Sequence, residues 1–191
     1  MAPQSTTTAR STTFRWQEPG PLFATRPELS GLHYLQGMLN GDVLPPPVIQ
    51  ALGITLVRAE PGLVRFAMPV RDHLVNHLGF LAGGILSTVV DVALASAVLS
   101  MVTPDQDIVT LDLNVDFLRP VDGACGSVTV DAEVVHLGRN RGLATCRAVG
   151  PNQRVYAIGK STCLIRPKTP PADAPSGRAT GIAHGESHDV S

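Results

Sequence analysis

Between residues 54 and 165 the hydrophobic period of the chain changes twice, and the changes mark its elements. Residues 54–60 and 63–70 flank Pro61 and Gly62, a turn pair, and the second run places Val64, Phe66, Met68 and Val70 at every other position. Period two over such lengths predicts two strands joined as a hairpin. Residues 84–101 are then apolar around the whole helical circumference and are opened by Gly83 and Gly84. That pattern predicts one long helix enclosed by other elements. Period two returns over 107–118, with Val109, Leu111, Leu113, Val115 and Phe117 on one face and Thr110, Asp112, Asn114 and Asp116 on the other. Such alternation predicts one packed and one open face. Three further strands, 127–137, 143–149 and 155–165, are separated by a Gly138 to Gly142 turn and by Gly150, Pro151 and Asn152. Short turns predict antiparallel neighbours. Ahead of the hairpin, 31–39 reads as a short helix and PPPVIQALG as another, proline being well suited to a first turn. The fold class is therefore α+β, an antiparallel sheet whose apolar face wraps one long central helix.

Both ends lack this patterning. Residues 1–25 are polar with scattered prolines, and 167–191 hold almost no bulky apolar side chains, so burial cannot offset their ordering entropy. The expected folded unit is 26–166, one domain within 191 residues. A net charge of −1 and an aromatic content of 4% give no basis for nucleic-acid binding, which favours a basic surface with stacking rings. Residues 85–102 are apolar enough to be mistaken for a membrane span, but Asp91 lies inside them. A carboxylate in lipid costs about 2.5–3.5 kcal/mol even on insertion scales, so a buried helix is expected and no membrane association. The first twenty residues lack the apolar stretch of a secretion signal, and a cytoplasmic location is expected. Cys125, Cys146 and Cys163 are odd in number and form no CxxC pair, which predicts packing in strands rather than a disulfide framework or a zinc site. His73 and His77 are four apart but lack a third ligand, and His184 and His188 fall in the tail. No metal site is predicted.

The chemistry concentrates on Asp91. It is the one residue among Asp, Glu, Lys and Arg between Asp72 and Asp105, and it sits two turns into the long helix. There the dipole at the helix start no longer helps a negative charge. A buried carboxylate is costly unless partnered, so a functional role is expected of it. Gly83 and Gly84 add a second feature. Backbone N–H groups at a helix opening have no intrahelical acceptor, and they lie at the positive end of the dipole. Glycine lets a ligand approach such donors closely.

Asn76, Gly79, Gly83, Gly84 and Asp91 keep the spacing of the N-x-x-G-x-x-H-G-G-x6-D signature, and this segment resembles the PaaI-like hotdog acyl-CoA thioesterases. Thr110 to Val115, the run Phe117, Leu118, Arg119 and Pro120, the passage from Val134 to Arg139 and the closing strand AxGKSTCLI are also similar, so the resemblance covers about residues 30–166. It implies hydrolysis of an acyl-CoA thioester with no metal or redox cofactor. Asp91 would be general base or nucleophile, the Gly83 N–H the carbonyl polariser with Gly84 beside it, Asn76 an orienting group and Thr110 the positioner of water. The chain departs from the signature at Ala82, where the family has histidine; His77, five residues earlier, is the nearest substitute. A non-catalytic acyl-CoA-binding hotdog is the alternative that this departure raises. No His/Asp or His/Glu pattern of a hotdog dehydratase is present.

Spacing adds a constraint on assembly. Gly83 and Asp91 are eight residues apart, or about 12 Å along one helix. A single carbonyl cannot lie within about 3–3.5 Å of an attacking group and also be held by a donor that distant. If both act on one thioester they belong to two copies of the chain, so a homodimer, or a dimer of dimers, is expected. Thr110 stands on the polar face of its strand, so a local bend or the partner chain must bring it to Asp91. Arg139 and Arg141 in the glycine-flanked turn are the candidates for the phosphates of CoA, which guanidinium groups recognise well.

Overall fold

The computed structural model describes residues 9–16 and 28–168. Two short helices lead in, α1 (Gly31–Asn40) and α2 (Pro47–Leu52), followed by β1 (Thr55–Glu60), β2 (Leu63–Pro69), the long helix α3 (Gly83–Leu99), β3 (Gln106–Phe117), β4 (Ser127–Leu137), β5 (Arg141–Val149) and β6 (Val155–Pro167). The six strands form one antiparallel sheet in the order β1-β2-β4-β5-β6-β3, which leaves β1 and β3 as its edges. The expected hotdog arrangement is the one observed, with α3 packed against β2, β3, β4, β5 and β6. No helix among the described residues is long and apolar enough to cross a membrane.

The sheet receives α3 in a trough of small side chains. On β5 the helix-facing residues are Gly142, Ala144, Cys146 and Ala148, and their antiparallel partners on β6 are Cys163, Ser161, Gly159 and Ala157. A Cβ on Gly142 would lie 2.5 Å from Cγ1 of Val98, and one on Gly159 would lie 2.9 Å from Cγ1 of Val90. The two valines therefore occupy the volume that larger strand residues would take, and the helix sits close to the sheet. Phe66, Met68, Val128 and Val130 on β2 and β4 close the other flank and are fully buried. At the far end, Ser30 caps α1 through His33 N–H, and the Gly31 N–H donates to the carbonyl of Val102 just past α3. A Cβ on Gly31 would collide with the Leu99 carbonyl, so glycine is required where α1 meets the end of α3.

Two expectations are corrected. The long helix is not enclosed on all sides in a single chain: Gly84 is exposed, and Ser87, Thr88, Asp91, Val92 and Ala95 are only half-buried. A sheet covers one face of a helix laid on it, and among the described residues the other face is only partly covered. The second correction concerns β3. Its pairing with β6 breaks between Thr110 and Asp112, leaving Leu111 as a bulge without an opposite residue. One extra residue reverses the side to which the strand's residues point. Ile108 and Thr110 therefore face α3 before the bulge, while Leu113, Val115 and Phe117 face it afterwards, and Val109 points to the outer surface rather than to the core. Hydrogen bonds pin the bulge: Thr162 N–H donates to Asp112 Oδ1 at 3.0 Å and Ser161 Oγ donates to the Asp112 carbonyl at 2.7 Å.

Of the cysteines, Cys146 and Cys163 lie in strands, but Cys125 lies in a short 3-10 turn, Gly123–Cys125, and all three are free. Part of the stretch expected as a loose N-terminal arm rests on the domain, where Arg10 ion-pairs with Asp72 and the Phe14 ring meets His73 edge-on at 5.7 Å between centroids. Of the expected C-terminal tail, 167–191, Pro167 instead ends β6 and the Lys168 N–H donates to the Asp105 carbonyl, while 169–191 lie outside the described residues.

Filling the trough should cost stability. Gly142→Val is expected to lower the unfolding free energy in urea by about 1–3 kcal/mol, because the added side chain overpacks against Val98. Adding Val98→Ala should recover part of that loss, since the two positions share one volume. Two losses that simply add would show that helix and strand do not compete there.

Candidate active site

The loop entering α3 is built around Asn76. Its side-chain Oδ1 accepts from the N–H groups of Leu78 (2.9 Å) and Phe80 (3.3 Å), and its own N–H donates to the Phe80 carbonyl at 2.7 Å. Gly79, at φ +80°, supplies the left-handed residue that this turn needs. The Ala82 N–H is taken by the Leu74 carbonyl and Ile85 N–H by the Ala82 carbonyl. Ala82 occupies the N-cap of α3 with no side-chain bond to the helix, so Gly83 and Gly84 N–H remain without an acceptor among the described residues. A groove of about 430 Å³ opens at this point, lined by Asn76, Leu78, Phe80, Gly83, Leu86 and the segment 117–121 among others. The Phe117 ring lies directly over Gly83, where a Cβ would meet it at 3.2 Å.

Farther along α3, Thr110 Oγ1 donates to Asp91 Oδ1 at 3.2 Å. The bulge at Leu111 is what turns Thr110 toward the helix, so the tension in its expected position is resolved within one chain by a bend. Cys163, directly opposite Thr110 on β6, is fully buried, and burial is the main reason its thiol titrates above the ordinary range; the negative charges of Asp91 and Asp112 add to that. Burial pushes the Cys146 thiol up to about 12 against a smaller opposing effect of the Gly159 backbone. A thiol held protonated is a poor nucleophile, which argues against cysteine chemistry here.

The predicted site residues thus fall into separate groups. Asn76, Gly83 and the adjacent Gly84 gather at the helix opening. Asp91 and Thr110 form a hydrogen-bonded pair on the half-open side of the same helix, eight residues, or about 12 Å, further on. Arg139 and Arg141 sit at the β4–β5 turn beside Gly142, which packs on Val98 near the opposite end of α3, so one chain does not bring them to Gly83. His77 is exposed in the Asn76 turn. Sequence reasoning missed two members of the groove, Phe117 and Arg119. Both stand in the Phe117 to Pro120 run, and a lone cation among apolar neighbours was the available signal.

A family model described as the thioesterase superfamily matches residues 78–157. A protein of Halobacterium salinarum assigned as an esterase is 35% identical over 109 residues, covering 54% of this chain and 70% of that protein. The chain belongs to the thioesterase superfamily. Thioester hydrolysis is accordingly its reaction class. Among solved structures, this superfamily member is similar to a thioesterase family protein from Silicibacter pomeroyi (29% identity, TM-score 0.64, covering 70% of this chain and 99% of that one). It is also similar to the PaaI protein of E. coli, from the phenylacetic acid degradation operon (25% identity, TM-score 0.64, 73% and 99%). A 1,4-dihydroxy-2-naphthoyl-CoA hydrolase of Listeria monocytogenes is 22% identical over 62% of this chain and 95% of its own length.

The buried thiols give a direct check on the exclusion of cysteine chemistry. In native protein treated with iodoacetamide at about pH 8.5, the ordinary thiol pKa, intact-mass analysis should find Cys146 and Cys163 unmodified until the chain is denatured. Labelling of either in the native state at the rate of a free thiol would contradict their burial.

Proposed function

We propose that the protein hydrolyses acyl-CoA thioesters in sites shared between two copies of the chain. The observation that carries this reading is the division of the candidate machinery along one unbroken helix: free N–H donors at its opening, and a carboxylate with its hydroxyl partner about 12 Å away on its uncovered side. Neither group can serve a carbonyl held by the other in the same chain. Two copies with their helices side by side and antiparallel would set the Asp91 of one against the Gly83 of the other.

Further features support such pairing. β3 is a 12-residue strand at the edge of the sheet, with no strand on its outer side among the described residues, and Leu111, Leu113 and Phe117 on it are exposed. An open edge of this kind is a template for a second strand. Val92 and Ala95 on the same side of α3 pack against the edge of the core but stay only partly buried among the described residues. The β4–β5 turn lies beside the start of β3, because Ile165 pairs with Ile108 and its N–H donates to the Asn140 carbonyl. Antiparallel pairing of two β3 strands would bring Arg139 and Arg141 of one copy toward the groove of the other, where they would meet CoA phosphates. Further pairing into a dimer of dimers is compatible with this arrangement, and a cytoplasmic location belongs to the same reading.

In the proposed reaction the thioester carbonyl oxygen accepts from the Gly83 N–H, with the Gly84 N–H beside it, and negative charge that develops there is met by donors already in position. Asn76 contributes its Nδ2, since its Oδ1 is committed to the turn. Asp91 of the partner copy takes the proton from an attacking water, or attacks the carbonyl itself to give an acyl anhydride that a water then cleaves, releasing the acid and restoring the carboxylate; Thr110 holds the carboxylate and the water. The thiolate of CoA leaves as the tetrahedral intermediate collapses. The methyl group of Ala82 in place of an N-cap side chain favours one rival specifically, an acyl-CoA binder without turnover.

Thiol release from a panel of short, medium, long and aryl acyl-CoAs tests the reading. Asp91→Asn should lower kcat by about 10²–10⁴-fold and Thr110→Val by about tenfold, with circular dichroism and oligomeric state unchanged. Full activity in Asp91→Asn would defeat the assignment, and binding of the panel by the wild type without thiol release would favour the rival.

A further inference from the structure

The groove beside Gly83 has a composition that turnover alone does not explain. Its walls are Leu78, Phe80, Leu86, Phe117, Leu118 and Pro120 among others, and Arg119 is the one charged residue lining it among the described residues. That cation is held rather than free to sweep. Its Nη1 donates to the Val155 carbonyl at 2.8 Å, and the backbone N–H groups of Leu118 and Arg119 both donate to the Tyr156 carbonyl, at 2.8 and 3.2 Å. Pro120 restricts the backbone of Arg119 to extended conformations. Beyond it, Val121 is buried and its carbonyl accepts the Leu81 N–H. A guanidinium has five N–H donors, and one is used by Val155, so four remain. No carboxylate among the described residues pairs with it. The next acid along the chain, Asp122, accepts from the Cys125 N–H instead. Arg119 is thus an exposed positive charge at the rim of an apolar groove, tied through one donor, without a carboxylate partner among the described residues, and with donors left in the planar fork that suits an oxyanion.

We infer that Arg119 binds an anionic oxygen group of the substrate and sets specificity for substrates that carry one. This rests on the thioester-hydrolase reading and adds a residue that it does not use. Two sources of the anion share the same chemistry, a phosphate of the CoA carrier and a carboxylate on the acyl group. Nothing covalent is asked of Arg119. It orients the thioester by gripping one end while the Gly83 N–H meets the carbonyl.

The experiment compares wild type, Arg119→Ala and Arg119→Lys, as full chains, on hexanoyl-CoA, hexanoyl-N-acetylcysteamine and glutaryl-N-acetylcysteamine. The neutral thioester without phosphate is the internal control for any structural effect of losing the bond to Val155. A fall in kcat/KM of about 10- to 100-fold in Arg119→Ala on hexanoyl-CoA, with the neutral thioester unaffected, supports the inference with phosphate as the ligand. The same fall on the glutaryl thioester alone supports it with the acyl carboxylate as the ligand. Arg119→Lys should recover part of either loss, since it keeps the charge and loses the fork. Equal losses on all three substrates, or none, overturn it. If the wild type turns over none of them, the hydrolase reading has failed separately. Calorimetric binding of the same three compounds then decides, and equal affinities for wild type and Arg119→Ala overturn the inference.

Discussion

The seat of α3 on the sheet governs everything else in the molecule. Gly142 and Gly159 offer no side chain where Val98 and Val90 descend, so helix and strands approach more closely than larger residues would permit. Close packing of this kind fixes rotation as well as distance, because each valine fits one gap and no neighbouring one. With Val90 committed to the trough, the next residue, Asp91, emerges at its margin on the side toward β3. The carboxylate is half-buried there because the backbone geometry leaves it no other place.

That placement is what makes the bulge at Leu111 consequential. A regular β3 would carry Thr110 on the outer surface with Val109 toward the helix, and Asp91 would face an aliphatic side chain. The extra residue exchanges the two and supplies a hydroxyl donor to the carboxylate. The same strand, past the bulge, sets the Phe117 ring over Gly83 and holds Arg119 at the groove rim. A single strand thereby touches both halves of the candidate site, and it lies at an edge of the sheet. Packing, site geometry and the proposed pairing of two copies all meet in β3.

Much of this was legible in the sequence because periodicity reports burial directly. The hairpin around Pro61 and Gly62, the long helix and the closing strands have boundaries within a few residues of the pattern, and the lone acid in an apolar helix singled out Asp91. The inward face of β3 does not follow from its pattern, for a definable reason. A strict alternation of Val109, Leu111 and Leu113 looks the same with or without a bulge, since the irregularity lies in the partner's register and not in the strand's own composition. The half-open side of α3 was read as enclosed because apolar residues all around a helix call for cover, and the sequence does not say whether that cover comes from the same chain. The alternating small residues of β5 and β6 were visible, but their meaning needed the helix to be laid on them.

Sharing of the site between chains is the claim from which the catalytic proposal follows, and subunit complementation tests it most directly. Gly83→Pro removes the N–H at a position where proline suits a helix start, and Asp91→Asn removes the base; each homodimer should be inactive. Co-expressed in equal amounts, the two chains form about half of their dimers as hybrids, each with one intact site of two. The account predicts that activity returns to about one quarter of the wild-type level. A mixture that forms hybrids and stays as inactive as its parents would place the whole site within one chain and contradict it.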